Sequence, residues 1–291
     1  MGTRPLRYHH QTDGEPTISV TTDPSFAAAL GPWRHHRDRF ATALHALAPS
    51  DWTRPTRCDA WSVREVVGHL TAVDQFWAFT LGNARDGGPP TRLLEGFDPS
   101  SSTNDLVAAT LSSSIPELLE RFTTGADAVA AILDSFTADA WAARCESPQG
   151  HVPTTCNLGH MYWDSWLHER DIFEPMGLAP ASAADEVLPI IAFTFCFAGL
   201  QGGLVADPNP VGPGPDAPID VVVGFDELTP SLRIRIDDAV AVTTDERSAG
   251  VAAGSAVTLA DAFAGRAPLG PAVAPLPEAL AAQLGRAASV L

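Results

Sequence analysis

A chain of 291 residues that is 45% hydrophobic, with seven Trp and thirteen Phe, carries enough apolar side chain for one large core or two modest ones, which excludes a disordered polymer. Its formal net charge of −17 works against any surface that tracks nucleic-acid phosphates or anionic lipid, so neither nucleic acid nor a membrane is an expected partner. All 18 basic residues are arginine, a bias that GC-rich codons produce.

Residues 1–22 are polar and lack the apolar core of a signal peptide, so they read as a flexible start to a cytoplasmic protein. A first helix is expected over 24–48, opened by Asp23 and Pro24, with Phe26, Leu30, Trp33, Phe40, Leu44 and Leu47 on one stripe. The second starts at Ser62, which forms a Ser-x-x-Glu capping box with Glu65, and runs to about residue 83; Val66, Val73 and Phe76 put His69 on its buried face. After a Gly/Pro-rich loop at 86–99, a third helical region spans about 102–136, with a kink predicted at Pro116. The fourth helix covers about 157–174 and stops before Pro175 and Gly177. Four such helices with their apolar faces inward make a bundle.

Beyond a joint at 178–186, the apolar run at 187–205 reads as a buried helix, because a Pro, a Gln and three Gly interrupt it as a membrane span. A Pro/Gly loop at 207–218 leads to strands expected at 219–225, 232–238 and 239–245, in which Leu232, Ile234 and Ile236 share one face and Arg233 and Arg235 the solvated other. Helical patterns at 255–265 and 276–290 close the chain. The expected fold class is α+β: a four-helix bundle over 23–180, then a small domain over 181–291 with a mostly antiparallel sheet. Cys58, Cys145, Cys156 and Cys196 contain no C-x-x-C and read as free intracellular thiols.

One constellation proposes chemistry. Asp164 and His168 are four apart on the fourth helix, so they stand on one face, about 6 Å apart along the axis. With His69 from a neighbouring helix they offer two imidazole nitrogens and a carboxylate, a donor set that suits Zn²⁺ and leaves a position for water, thiolate or substrate. His160 lies about 12 Å along the axis from His168, too far to share an ion with it, and is either pocket lining or half of an alternative His160/Asp164 pair. Tyr162, Trp163 and Trp166 read as core and pocket wall, and His9, His10, His35 and His36 as surface. Arg266, after a Gly in a loop, is the candidate for an anionic cofactor or substrate group. G-x-S-x-G, P-loop and G-x-G-x-x-G motifs are absent.

CDAWSVREVVGHL (58–70) resembles the second-helix signature of the DinB-like, mycothiol-dependent maleylpyruvate isomerase superfamily, whose Cys-x-x-Trp-Ser/Thr-Val-Arg-Asp/Glu-x-x-x-His stretch delivers the first metal histidine. DSWLHERDI (164–172) resembles that family's Glu-x-x-x-His-x-x-Asp stretch. The likeness extends over about 24–180, and the second half is similar in layout to the sterol-carrier-like domain of the isomerases, with LADAFAGRAPL (259–269) resembling its Leu-x-Gly-Arg segment. The resemblance implies His69, Asp164 and His168 as ligands of a divalent metal, Asp171 as a residue behind them that orients an imidazole, and mycothiol as thiol co-substrate. Where the isomerases carry Glu, this chain has Asp164, one methylene shorter. The implied activity is that of a metal-dependent enzyme on a small electrophile, either a cis–trans isomerase of the maleylpyruvate type or a thiol S-transferase. A thiol-independent metal-hydroxide enzyme and a non-catalytic, metal-stapled small-molecule binding protein are the alternatives.

Overall fold

The computed structural model describes residues 19–22, 24–94, 102–148, 150–178, 180, 182–200, 218–237 and 239–289. The expected flexible start therefore lies outside the described residues up to 18, but Ser19–Thr22 is a strand, β1. The expected first helix divides into a 3-10 turn at Pro24–Ala29 and α1 at Leu30–His45. Pro32 explains the division, since it cannot donate to the carbonyl four residues back and its ring crowds that turn. Helix α2 (Val63–Arg85) begins as its sequence dictates, with the Ser62 amide donating to Glu65 Oε2 at 2.7 Å in a capping box.

The expected kinked helix at 102–136 is instead two helices, α3 (Ser102–Thr110) and α4 (Ile115–Asp134). Ser114 and Glu117 form a second capping box, and Pro116 stands in the first turn of α4, where a missing N–H leaves nothing unsatisfied. The short helix α5 (Ala138–Ala142) and the strands β2 (Arg144–Ser147) and β3 (Gly150–Pro153) lead to α6 (Thr154–Phe173), which gives way to a 3-10 turn at Glu174–Met176.

Two compact units result. The first holds Leu30–Pro148 and Asp164–Ala181; the second holds the described part of His9–Ala29, Gln149–Trp163 and Ser182–Leu291. These bounds differ from the expected 23–180 and 181–291 because His160 and Trp163, on the first half of α6, pack against Phe193 of α7 (Ala184–Gly199). In the first unit α2 packs on α3 and α4, and α1 on α4. Its core sets Phe40 edge-on against Phe122 and Phe173, with Leu44, Val66, Leu70 and Leu118 around them.

Close approach of α2 and α3 depends on Gly68, where a Cβ would fall 2.3 Å from Thr110 Oγ1. Thr110 is buried and donates to the Val107 carbonyl, so it cannot turn away without losing that bond. Gly68→Ala gains about 1 kcal/mol of helix propensity but overpacks by roughly 1–3 kcal/mol. It is expected to lower the thermal midpoint in the wild-type background and to raise it in Thr110→Ala; destabilisation in both backgrounds would refute the contact.

The second unit is built on the sheet order β1-β6-β5-β4-β7, with β4 at Ile219–Gly224, β5 at Ser231–Ile236, β6 at Ala239–Asp245 and β7 at Val251–Ala252. The central pairs β4/β5 and β5/β6 are antiparallel and the two edge pairings are parallel. Leu232, Ile234 and Ile236 are buried while Arg233 and Arg235 face solvent, as the alternation predicts. Helix α7 packs on β5 and β6 and is flanked by α8 (Ala256–Phe263) and α10 (Glu278–Ala288); α9 (Leu269–Val273) lies between these two in sequence. The expected buried helix is thus α7, whose residues from Val187 are buried on nearly every side. Among the described residues no helix is long and apolar enough to cross a membrane. Residues 201–205 of the apolar run, and the expected Pro/Gly loop apart from Pro218, lie outside the described residues. The class is α+β, with a helical amino-terminal region and a carboxyl-terminal domain whose sheet is mostly antiparallel.

Candidate metal centre

The segment before α2 is folded against the end of α6 by its own hydrogen bonds. Thr56 Oγ1 donates to the Trp61 carbonyl at 2.8 Å and accepts from the Cys58 amide at 3.1 Å, while the Arg57 amide donates to the Asp171 carbonyl at 3.1 Å. Cys58, Trp61 and His69 are thereby carried to the stretch of α6 that bears Asp164, His168 and Asp171.

Asp164 stands between two imidazoles. Its Oδ2 is 3.4 Å from His69 Nε2 and its Oδ1 is 3.5 Å from His168 Nε2. Both separations are long for a hydrogen bond. They match the edge of a tetrahedron about a cation whose N and O ligands lie 2.0–2.2 Å away, about 3.3–3.6 Å. The three donor atoms lie within 4.8 Å of one another, and among the described residues no fourth His, Cys, Asp or Glu joins that group. The donor set therefore fits one divalent ion with a position left open. Asp164, with 19% of its side chain exposed, keeps the centre in reach of solvent.

Behind these three donors, His168 Nδ1 donates to Asp171 Oδ2 at 3.0 Å, which turns Nε2 toward Asp164. Asp171 is fully buried and also accepts from Arg57 Nε at 2.9 Å and from the Cys58 thiol at 3.1 Å. Cys58, His168 and Asp171 could themselves group around an ion. The Arg57 guanidinium already supplies positive charge to Asp171, so these three act as a hydrogen-bond relay instead. Trp61 lies against both rings, 5.1 Å from His69 and 6.2 Å from His168 between centroids, and shields them from water. His69 Nδ1 is buried with no hydrogen-bond partner among the described residues.

Burial alone pulls the His168 imidazole down, but the Asp164 charge, the hydrogen bond to Asp171 and the Cys58 thiol raise it to about 10. The centre thus attracts a positive charge, which a proton supplies when no metal does.

All four residues singled out in the sequence, His69, Asp164, His168 and Asp171, come together in the first unit. His160 is absent from the grouped ligands and stacks on Phe193 at 4.9 Å, 13° between planes. Tyr162, Trp163 and Trp166 are buried, as expected of core. Arg266 belongs to the second unit, where it donates to the Ala264 carbonyl at 2.9 Å. His9 and His10 lie outside the described residues, and His35 is exposed. His36 is a correction: expected at the surface, it is fully buried, with Nε2 2.9 Å from Ser165 Oγ and Nδ1 3.3 Å from Glu169 Oε2. Arg57 and Cys58 escaped the sequence reading as site residues, although their place eleven to twelve residues before His69, in the same conspicuous stretch, was a usable signal.

Residues 33–173 match the family described as the mycothiol maleylpyruvate isomerase N-terminal domain. Among solved structures, the chain is similar to a mycothiol-dependent maleylpyruvate isomerase at 15% identity and a TM-score of 0.55, covering 83% of this chain and 90% of that one. A histidine-to-alanine mutant of such an isomerase matches at 14% identity and a TM-score of 0.56, with the same coverage. At these identities the likeness speaks for the fold. No curated protein matches the sequence.

Proposed function

This chain belongs to the mycothiol maleylpyruvate isomerase N-terminal domain family, and on that premise we propose that it is a metal-dependent enzyme that uses mycothiol to isomerise a small activated cis-alkene. His69, Asp164 and His168 hold the ion, zinc by the chemistry of the donors. The observation that carries this reading is the convergence of two Nε2 atoms on one carboxylate at 3.4 and 3.5 Å, with no fourth His, Cys, Asp or Glu in that group among the described residues. A closed, four-ligand site would instead favour a metal that only staples the bundle.

A divalent ion bound there lowers the pKa of a coordinated thiol and polarises a substrate carbonyl. The chain's own residues prepare the place for it. Asp171 fixes the ring of His168 with Nε2 toward Asp164, and Arg57 and Cys58 hold Asp171 from the other side. Trp61 covers the rings, which keeps the surroundings of low polarity and strengthens charge interactions. Mycothiol, when bound, would supply a nucleophilic sulfur that adds reversibly to the double bond, which allows cis–trans rotation with the thiol recovered unchanged. The cytoplasm, which keeps thiols reduced, is the compartment this chemistry calls for.

The test is turnover of maleylpyruvate by zinc-loaded protein with mycothiol, with glutathione, and with no thiol. The expected result is loss of the cis-alkene with mycothiol alone, and mycothiol recovered in full. Consumption of mycothiol would make the enzyme an S-transferase, and full turnover without thiol would overturn thiol use in favour of a metal-hydroxide reaction. Metal binding with no turnover of any activated alkene would leave the binding-protein reading.

A further inference from the structure

We infer that Cys156 and Cys196, in the second unit, form a dithiol that hydrogen peroxide converts to a disulfide. Both side chains are buried, one on α6 and the other on α7, and both line the same cavity with Ala29, Gly159, Ala192 and Phe193. The helices approach closely beside them. A Cβ on Gly159 would lie 3.3 Å from Phe193 Cβ, and Cys156 and Cys196 are each one turn from that crossing.

A buried cysteine is ordinarily a small hydrophobic filler. Two cysteines that line one small cavity across a closely packed helix pair are different, because a bond between their sulfurs needs only a short further approach. The size of the cavity selects the oxidant. It measures about 10 Å³, room for one water-sized molecule, and among the described residues no charged side chain lines it. An oxidised low-molecular-weight thiol is far too large for it, so a small neutral oxidant such as hydrogen peroxide is the kind that can reach the pair.

The neighbouring Cys156, together with burial, raises the Cys196 thiol well above its ordinary range, so Cys196 keeps its proton and Cys156 is the first sulfur to react. Cys156 sulfur attacks one peroxide oxygen, the O–O bond breaks, and the departing hydroxide takes the Cys156 proton as water, leaving a sulfenic acid. Cys196 sulfur then attacks Cys156 sulfur; the S–S bond forms, the S–O bond breaks, and hydroxide leaves with the Cys196 proton as a second water. Two thiols and one peroxide give one disulfide and two waters.

Full-length protein treated with hydrogen peroxide and then denatured in N-ethylmaleimide is expected to label at two of its four cysteines, with a peptide map joining Cys156 to Cys196 and dithiothreitol restoring all four. In Cys196→Ser, a dimedone probe should tag Cys156. Four labelled thiols after peroxide, a link through Cys58 or Cys145, or oxidation of Cys156 to sulfonic acid without a link would each overturn the inference. Equal linkage by oxidised glutathione would overturn the choice of oxidant. Should the serine variant fail to fold, the peptide map of the wild-type protein decides alone.

Discussion

Gently purified protein is expected to carry about one divalent ion per chain, mostly zinc, and His69→Ala close to none, with its helical circular dichroism retained. The effect is large because, in the proposed centre, His69 is the one ligand from α2; without it the ion would have only Asp164 and His168, from a single helix. His168→Ala should lose the metal as well, Asp164→Glu should keep it with altered activity, and His160→Ala should keep it unchanged, since His160 is stacked on Phe193 and is outside the ligand group. Zinc at a hundredfold excess over Kd should stabilise the metal-free wild type by about 2.7 kcal/mol. The proton on His168 competes with the ion. Its folded pKa, about 10, is raised above the ordinary value of 6.5, so the imidazolium stabilises the metal-free fold fully below pH 6.5, and that stability is lost as pH rises toward 10. Over the same window the apparent zinc affinity should climb by about tenfold per pH unit, as proton competition fades. Elemental analysis, thermal melts and zinc titrations at several pH values check this. Metal-free wild type that gains nothing from added zinc would end the ligand assignment.

Local grammar was legible in the sequence wherever a residue's role depends on neighbours within one turn or one pleat. Ser62 with Glu65 announced the start of α2, LRIRI announced the two faces of β5, and the four-residue spacing of Asp164 and His168 announced a shared face. The pairing of His69 with those two crosses a large gap in sequence and came from the motif resemblance; the helices themselves do not encode it. Other features were invisible because their cause is tertiary. His36 sits in a helix beside an exposed His35, and only contact with Ser165 and Glu169, about 130 residues on, makes it a buried group. Pro116 illustrates an ambiguity of a different kind. A proline in a long helical pattern predicts either a kink or a new first turn, and the Ser114/Glu117 capping box around it was the local signal that decided between them.

Asp74→Ala is expected to lower stability by about 3–5 kcal/mol, a fall of roughly 10 °C in thermal midpoint, the largest effect on folding of any single change considered. Arg37 and Asp74 are 4% and 2% exposed, and the guanidinium meets the carboxylate at two points, 3.0 and 2.7 Å. Burial drives the Asp74 carboxyl above the usual carboxylate range and Arg37 opposes it; the two-point geometry is that of an ionised pair, and on that ground the charged form is the one at stake. Removal of Asp74 leaves a guanidinium among Trp33 and Phe122 with, among the described residues, only the Phe122 carbonyl, at 3.2 Å, as a remaining hydrogen-bond acceptor. The pair is weak evidence of stability in itself, because both charges were desolvated to make it. Arg37→Met combined with Asp74→Leu should therefore cost far less than Asp74→Ala alone, and a double variant as unstable as the sum of the singles would show that the two side chains act independently. The consequence extends to the centre, since the charges of Asp164 and His69 are both felt at Asp74. An Asp74→Ala protein that still folds at low temperature should bind zinc with changed affinity even though Asp74 is no ligand.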